Sequence, residues 1–202
     1  MELLTQNSKI KKTSKHINTR LYNFGITAYK SYKTGRLICP FADKCVKYCY
    51  AQKGAYSWSN VRPAFEKRYE ATLQDNFVQM MSAEIRKKKA EYVRVHDSGD
   101  YYSRSYRDKW FEIARLNSDV RFYSYTNSLD LFRNVDRPPN FDLIFSDGGS
   151  LRHTIDKEKE RHSIVFGTKS LLVREGYTDA SEYDLYATKW FNPTNKVGLL
   201  FH

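Results

Sequence analysis

The stretch YVRVHDSGD, residues Tyr92 to Asp100, runs from apolar and β-branched residues into a polar turn. Its first four residues predict a short buried strand, and the Ser-Gly-Asp sequence predicts the turn that ends it. Residues 105–116 then place Tyr106, Trp110 and Ile113 three and four positions apart, which is the spacing of one helical face. A strand, a loop and a helix are therefore predicted to follow one another here.

The same alternation extends in both directions along the chain. Apolar residues recur at steps of three and four from Pro63 to Lys89, which predicts one helix with Pro63 in its first turn and Asn60 as its cap. Further strands are predicted at 22–30, 36–38, 120–125, 141–145, 163–166 and 196–201, and a short helix at 129–134. Strands joined by helices pair in parallel, so the sequence predicts an α/β fold with a mostly parallel sheet that forms a partial (βα)6 barrel.

The chain is strongly basic, with 34 lysines and arginines against 23 acidic residues and a net charge of +11. Much of the excess lies in a basic N-terminal arm over residues 1–20 and in the run Arg86–Lys89. Such charge attracts nucleic acid, although the arm could be a solvated segment and the run could complement a helix dipole. Residues 21–202 are predicted to form a single domain.

The chain has no apolar run of the length that spans a bilayer, and Met1–Arg20 lacks the apolar core of a secretory signal. We therefore expect a cytoplasmic protein with no membrane partner. The sequence does not indicate an oligomeric state.

The three cysteines, Cys39, Cys45 and Cys49, fall within eleven residues, which indicates a metal site rather than a disulfide framework. Three thiolates can hold three irons of a 4Fe–4S cluster and leave the fourth iron open to an external ligand. The alternative is a zinc site in which one histidine completes the tetrahedron. The candidate histidines are His96, His153, His162 and His202.

Polar residues follow the predicted strands at their C-terminal ends, where parallel α/β folds gather their active sites. They are Asp97, Gly99, Asp100, Ser124, Thr126, Asn127, Asp147, Gly148, Gly149, Thr168 and Lys169. The cysteine loop also follows predicted strand material, so we expect it at the same edge. Alternatively, Asp97 and Asp100 serve only as helix caps or turn residues, and residues 147–150 form only a turn.

Three segments together resemble one known group of proteins: the cysteine loop 39–51, the segment 94–102 and the strand 122–126. They are similar to the bacteriophage gene product 88 family, whose members resemble radical S-adenosylmethionine (SAM) iron–sulfur enzymes. The resemblance covers roughly residues 15–130. A three-cysteine loop after the first strand of a partial (βα)6 barrel is the radical SAM arrangement.

The resemblance implies that Cys39, Cys45 and Cys49 bind a 4Fe–4S cluster, with Tyr48 at the aromatic position that lies against the SAM adenine. Five and then three residues separate the cysteines here. The usual radical SAM spacing is three and then two, so the loop of this chain is longer.

The resemblance also implies that Ser98-Gly99-Asp100 holds the amino group of SAM, with Asp100 where glutamate is commoner. Ser124 and Thr126 would reach the ribose or the carboxylate of SAM. These residues follow two successive predicted strands.

The leading functional hypothesis is a radical SAM-like phage protein that works in the host cytoplasm with a reductant protein. It would cleave SAM and modify a nucleic acid or a nucleotide. The alternative is a non-enzymatic iron–sulfur or zinc protein that binds nucleic acid or a host protein.

Overall fold

The computed structural model describes residues 1–201 and contains one seven-stranded sheet. The strands are β1 (Leu21–Phe24), β2 (Tyr92–Val95), β3 (Arg121–Thr126), β4 (Phe141–Ser146), β5 (His162–Phe166), β6 (Thr178–Asp179) and β7 (Lys196–Leu200). Their order across the sheet is β1-β2-β3-β4-β5-β7-β6, and every neighbouring pair is parallel. The sheet curls into a half-barrel, which confirms the predicted α/β class and partial barrel. The two-residue strand β6 is an addition to the predicted set.

Within residues 1–201, six α-helices accompany the sheet, and most of them lie in the connections between strands. They are α1 (Ser8–Ile17), α2 (Lys44–Lys47), α3 (Arg62–Thr72), α4 (Phe77–Lys88), α5 (Arg104–Leu116) and α6 (Lys169–Arg174). Short 3-10 helices occur at Tyr50–Gln52, Gly54–Ser57, Leu129–Phe132, Arg152–Thr154 and Asp184–Ala187. The predicted helix at 129–134 is therefore a single 3-10 turn.

The two faces of the sheet bury separate apolar clusters, because successive residues of a strand point to opposite faces. On the outer face, Phe24, Val93 and Phe122 pack in one cluster with Trp110 of α5. The inner face contributes a second cluster. Its buried members are Ile10, Leu21, Tyr92, Tyr123, Ile144, Ala180, Leu185, Ala187 and Val197. The inner face also carries charged side chains, which bear on the candidate site.

The prediction of one continuous helix from Pro63 to Lys89 is wrong. The helix ends at Thr72, and α4 begins at Phe77 after four residues rich in polar side chains. The Nζ of Lys109, on α5, donates to the carbonyl oxygens of Thr72 and Gln74 at 2.9 and 2.8 Å. These bonds satisfy backbone groups that the break leaves without helical partners. Pro63 does lie in the first turn of α3 as predicted.

Two of the predicted strands are also corrected. The strand expected at 22–30 ends at Phe24. The segment expected as a strand at 36–38 makes only one isolated antiparallel bridge, between Leu37 and Lys30. The cysteine loop therefore follows an irregular segment that folds back on itself after β1.

The basic segment at residues 1–20 packs onto the sheet. Leu3, Leu4 and Ile10 are buried in the core. Lys9 pairs with buried Asp184 at 2.8 Å. Ile10 and Thr13 lie three residues apart and give α1 one buried face.

Helix α5 begins with an N-cap that gives a direct stability prediction. The hydroxyl of Ser103 accepts a hydrogen bond from the N–H of Tyr106 at 3.2 Å. Replacing Ser103 by alanine removes this acceptor, and we expect the free energy of unfolding to fall by about 1 kcal/mol. Urea denaturation measures this loss, and Ser105→Ala, in the first turn of the same helix, is the control. Equal midpoints for the two variants would contradict a capping role.

Candidate functional site

The cysteine loop lies against the turn that follows β4. Ala42 forms an antiparallel bridge with Gly149. The N–H of Cys45 donates to the carbonyl oxygen of Gly148 at 3.2 Å, and the N–H of Ser150 donates to that of Phe41 at 2.9 Å. Because this turn leaves the C-terminal end of a central strand, the loop lies at the predicted edge of the sheet.

Two glycines permit this close approach. A Cβ at Gly148 would lie 3.2 Å from the Cβ of Cys45, and a Cβ at Gly149 would lie 2.8 Å from that of Asn127. The second distance is shorter than real Cβ contacts allow, so alanine at Gly149 would push the loop away from β3. Gly148 and Gly149 therefore do more than form a turn, because the absence of their side chains lets the cysteine loop pack against this turn.

Two of the three thiols accept hydrogen bonds from N–H groups. The N–H of Tyr29 donates to the Sγ of Cys39 at 3.4 Å. The side-chain amide of Asn127 donates to the Sγ of Cys45 at 3.6 Å. Such N–H groups stabilise thiolates and tune the potentials of iron–sulfur clusters.

The thiols and Asp100 lie close enough to influence one another's protonation. Burial raises the pKa of Cys39 well above its usual value, and the charge of Asp100 and the other two thiols raise it further. The pKa of Cys45 is raised for the same reasons, with burial first. A bound metal ion would reverse both shifts, since its positive charge favours the thiolate.

The donor set fits an iron–sulfur cluster in its chemistry, since thiolates are the ligands of such clusters. All three cysteines are free and half-buried. Among residues 1–201, no three histidine, cysteine, aspartate or glutamate side chains form a group that could hold a metal ion as they lie. Binding a cluster would therefore require the sulfurs of this loop to move together. Most of the residues from 43 to 49 are exposed, so the core does not oppose this movement.

Two of the four histidines considered as a fourth zinc ligand, His96 and His162, are buried and hydrogen-bonded to other groups. His96 is buried, and its Nε2 is 2.9 Å from the hydroxyl of Tyr106. Burial lowers the pKa of His96 to about 3. His162 uses both ring nitrogens, toward the carbonyl oxygen of Glu160 and the hydroxyl of Tyr177, each at 2.9 Å. His153 is exposed, and His202 lies outside the described residues.

Asp100 is the centre of a buried polar network that joins β2 to β3. Its Oδ1 accepts from the hydroxyl of Thr126 at 2.6 Å and from the N–H of Tyr101 at 2.7 Å. Its Oδ2 accepts from the N–H of Asn127 at 2.8 Å. Burial raises the pKa of Asp100 to about 6, although these hydrogen bonds oppose the shift. Oδ2 retains one lone pair, so it can accept one further donor.

The other residues predicted to contact SAM after β2 and β3 are engaged with the backbone of neighbouring segments. Ser98 and Ser124 are buried, and their hydroxyls donate to the carbonyl oxygens of Ile26 and Val95, each at 2.8 Å. Gly99 has a φ of +81°, and a Cβ there would lie 2.4 Å from the side chain of Ile26. Ser98 and Gly99 therefore hold the segment after β1 against the turn after β2, whereas Ser124 bonds to the end of β2.

Tyr48 lies at the surface. It is 42% exposed, and its ring contacts that of Phe201 edge to face, with centroids 6.2 Å apart. The structure thus brings Asp100, Thr126 and the cysteine loop together, whereas Ser98 and Ser124 already have backbone partners.

Sequence reasoning missed a polar group on the inner face of the sheet. The Oδ2 of Asp97 accepts from the side-chain amides of Asn7 and Asn23 at 3.1 and 2.7 Å and from the hydroxyl of Tyr56 at 3.3 Å. The hydroxyl of Tyr50 donates to the Asp97 carbonyl oxygen. Asp97 is thus part of the inner face, and its role goes beyond a turn or a cap. The only signal in the sequence was its place after a strand.

A buried ion cluster lies near this group. Asp184 is fully buried and contacts the Nη1 of Arg94 at 3.0 Å and the Nζ of Lys9 at 2.8 Å. The hydroxyl of Tyr123 donates to Asp184 at 2.6 Å. Burial alone would raise the pKa of Asp184, but the two cations outweigh it and hold this pKa well below its usual value. Only the fold brings these residues together.

Both predicted basic regions are partly neutralised. Lys9 and Lys12 of α1 pair with Asp184 and Glu182. Lys88, within the Arg86–Lys89 run, pairs with Glu2 at 2.6 Å. The run occupies the last turn of α4, where basic residues complement the helix dipole.

No helix within residues 1–201 has the length and apolarity needed to cross a membrane.

The fold and the loop together define the class of this protein: an α/β half-barrel with a three-cysteine loop at the C-terminal edge of its sheet. Residues 1–197 match the family described as "Gene product 88", and the chain belongs to that family.

Two curated relatives carry the same description. The chain is 28% identical over 122 residues to the "Gene 88 protein" of Mycobacterium phage L5, and 27% identical over 122 residues to that of Mycobacterium phage D29. Each alignment covers 54% of this chain and 51% of the relative, so the chain spans about half the length of the curated relatives it matches. No solved structure matches the chain.

Proposed function

We propose that this phage-family protein binds a 4Fe–4S cluster through Cys39, Cys45 and Cys49 and uses it with SAM. The observation that carries the proposal is the placement of three free thiols in one loop, docked on the C-terminal edge of a parallel half-barrel. Hydrogen bonds from Tyr29 and Asn127 to two of the sulfurs support it. When bound, such a cluster with an open iron supplies the electron that cleaves SAM.

The chain itself would bind and orient SAM, and Asp100 is its best-placed group. Its carboxylate is buried, lies near the thiols, and has an unused lone pair on Oδ2. An ammonium group placed there would lower the raised pKa of Asp100 and keep the carboxylate charged. Thr126 holds the carboxylate in place.

Metal analysis tests the proposal. The protein is purified and reconstituted without oxygen, and its iron, sulfide and zinc are quantified beside a visible absorption spectrum. We expect iron and sulfide in equal amounts, a brown absorption band, and 5′-deoxyadenosine after SAM and dithionite are added. Stoichiometric zinc with no iron would contradict the cluster.

A non-enzymatic cluster protein is the second candidate, and one observation favours it. The hydroxyls of Ser98 and Ser124 already donate to backbone carbonyl oxygens, which leaves fewer groups for SAM. This candidate predicts the same iron and sulfide but no 5′-deoxyadenosine. The two candidates therefore separate in a single reaction mixture.

Asp100→Asn tests the SAM contact. We expect the iron content to remain and the SAM affinity to fall by about tenfold or more, because the amide cannot pair with an ammonium group. Equilibrium dialysis with labelled SAM measures the affinity, and Asp43→Asn, an exposed change on the cysteine loop, is the control. Unchanged SAM binding in Asp100→Asn would remove Asp100 from the site.

A further inference from the structure

A cleft of about 360 Å³ opens beside the cysteine loop, between the segment after β1 and the start of α3. Its volume lies within the range of small-ligand sites. The residues that line it include the aromatic side chains of Tyr29, Tyr32, Tyr56 and Phe65, and the cations Lys30 and Arg62. Buried Thr27, Ser31 and Ser98 add polar groups.

Exposed aromatic rings are concentrated in the chain segment that forms part of this cleft. Among residues 1–201, the large aromatic side chains with the greatest exposure are Tyr32, Tyr48, Tyr50, Trp58 and Phe201. All but Phe201 lie between residues 32 and 58, and Phe201 contacts Tyr48. Trp58 is 60% exposed and directly follows Ser57 of the cleft lining. Exposed rings at a cleft, here Tyr32 in its lining and Trp58 next to it in sequence, indicate a surface for a partner.

The charge of the same segment is predominantly positive. Residues 30–62 contain seven basic residues and one acidic residue, Asp43. Asp43 pairs with Arg152, outside the segment. Within the described residues, Lys30 and Arg62 pair with no carboxylate; they lie over the rings of Tyr29 and Tyr32, at 5.3 and 4.5 Å from the centroids. The partner that complements this surface is therefore an anion.

We propose that this cleft binds single-stranded nucleic acid, with one unpaired base against the tyrosines and backbone phosphates on Lys30 and Arg62. Aromatic faces stack on unpaired bases, and interleaved cations follow the phosphate backbone. A duplex keeps its bases stacked on one another, so it cannot use these rings. This site differs from the basic arm and the Arg86–Lys89 run that the sequence suggested.

The cleft adjoins the proposed metal centre through Tyr29. Tyr29 lines the cleft, and its backbone N–H donates to the Sγ of Cys39. A base held here would lie beside the cysteine loop. Binding of the strand does not require a cluster, so the inference stands or falls separately from the proposed iron–sulfur function.

Fluorescence anisotropy of the full chain with a labelled twelve-nucleotide single strand tests the proposal. We expect Lys30→Gln/Arg62→Gln to weaken binding about tenfold and to reduce the slope of log affinity against log salt by about 1.4, for two lost phosphate contacts. Tyr32→Leu should weaken binding about tenfold with an unchanged slope, because it removes stacking but no charge.

The matched control is Lys11→Gln/Lys15→Gln, which removes the same charge from exposed positions on α1. We expect its affinity to stay within about twofold of the unaltered chain at moderate salt. A larger loss here than in Lys30→Gln/Arg62→Gln would move the site to α1 and overturn the proposal. Equal affinity for the matching duplex, or for a mononucleotide, would also overturn it. Thermal unfolding of each variant verifies that it folds.

Discussion

The Asp184→Ala protein is expected to lose about 3–5 kcal/mol of its free energy of unfolding, because the change leaves Arg94, whose side chain is only 12% exposed, without its counter-charge. Asp184 is fully buried, and its carboxylate is shared by Arg94, Lys9 and the hydroxyl of Tyr123. Its backbone N–H also donates to the hydroxyl of Thr13 at 2.8 Å, which ties the segment to α1. Urea denaturation followed by circular dichroism measures the loss.

Glu182→Gln is the control for this change, because it lies two residues away and removes an ion pair of a different kind. Glu182 and Lys12 are 59% and 54% exposed, and such surface pairs contribute about 1 kcal/mol or less. We expect this variant to unfold nearly as the unaltered protein does. A similar small loss for Asp184→Ala would show that the cluster does not hold α1 to the sheet.

The same carboxylate predicts how stability depends on pH. The pKa of Asp184 is held below its usual value in the folded state, so the unfolded chain binds its proton more readily. Its contribution to stability is complete above the unfolded pKa of about 4, and it decreases as the pH falls below that value. As the pH is lowered below about 4, the free energy of unfolding should therefore fall less in Asp184→Ala than in the unaltered chain. Urea midpoints measured at several pH values test this.

Most of the strands and their parallel pairing were predictable because each apolar run is short and bounded by polar turns. The strand at 92–95 and the helix after it lie where periodicity placed them. The break between α3 and α4 was not predictable, since apolar residues keep helical spacing through it. The bonds from Lys109 that stabilise the break come from another helix.

The candidate site was predictable only where its residues are close in sequence or follow successive strands. The cysteine loop, Asp100 and Thr126 meet for these reasons. Asp184 pairs with Lys9 and Arg94 across long separations, which no local pattern records. The ion pairs of Lys9 and Lys12 were also not predictable, because net charge carries no information about which charges are paired.

The Cys45→Ser protein is expected to lose the brown absorption band and to retain less than about a tenth of the iron, because a hydroxyl is a poor ligand for cluster iron at neutral pH. Cys45 is the informative position: its N–H and thiol both bond within the candidate site, to Gly148 and from Asn127. Anaerobic reconstitution with iron and sulfide quantification measures the loss.

Asn127→Asp tests the hydrogen bond to the Cys45 sulfur separately from the binding of iron by that sulfur. It removes the amide that donates to Cys45 and places a second carboxylate near Asp100, but leaves all three thiols. Loss of N–H bonds around a metal ligand lowers metal affinity by about 10- to 100-fold, so iron should still bind at saturating supply. We therefore expect a larger loss of iron in Cys45→Ser than in Asn127→Asp, because the thiol would bind the iron and the amide only donates a hydrogen bond to the thiol. If Cys45→Ser retained its full iron and colour, the three-thiol site would be wrong, whatever Asn127→Asp did.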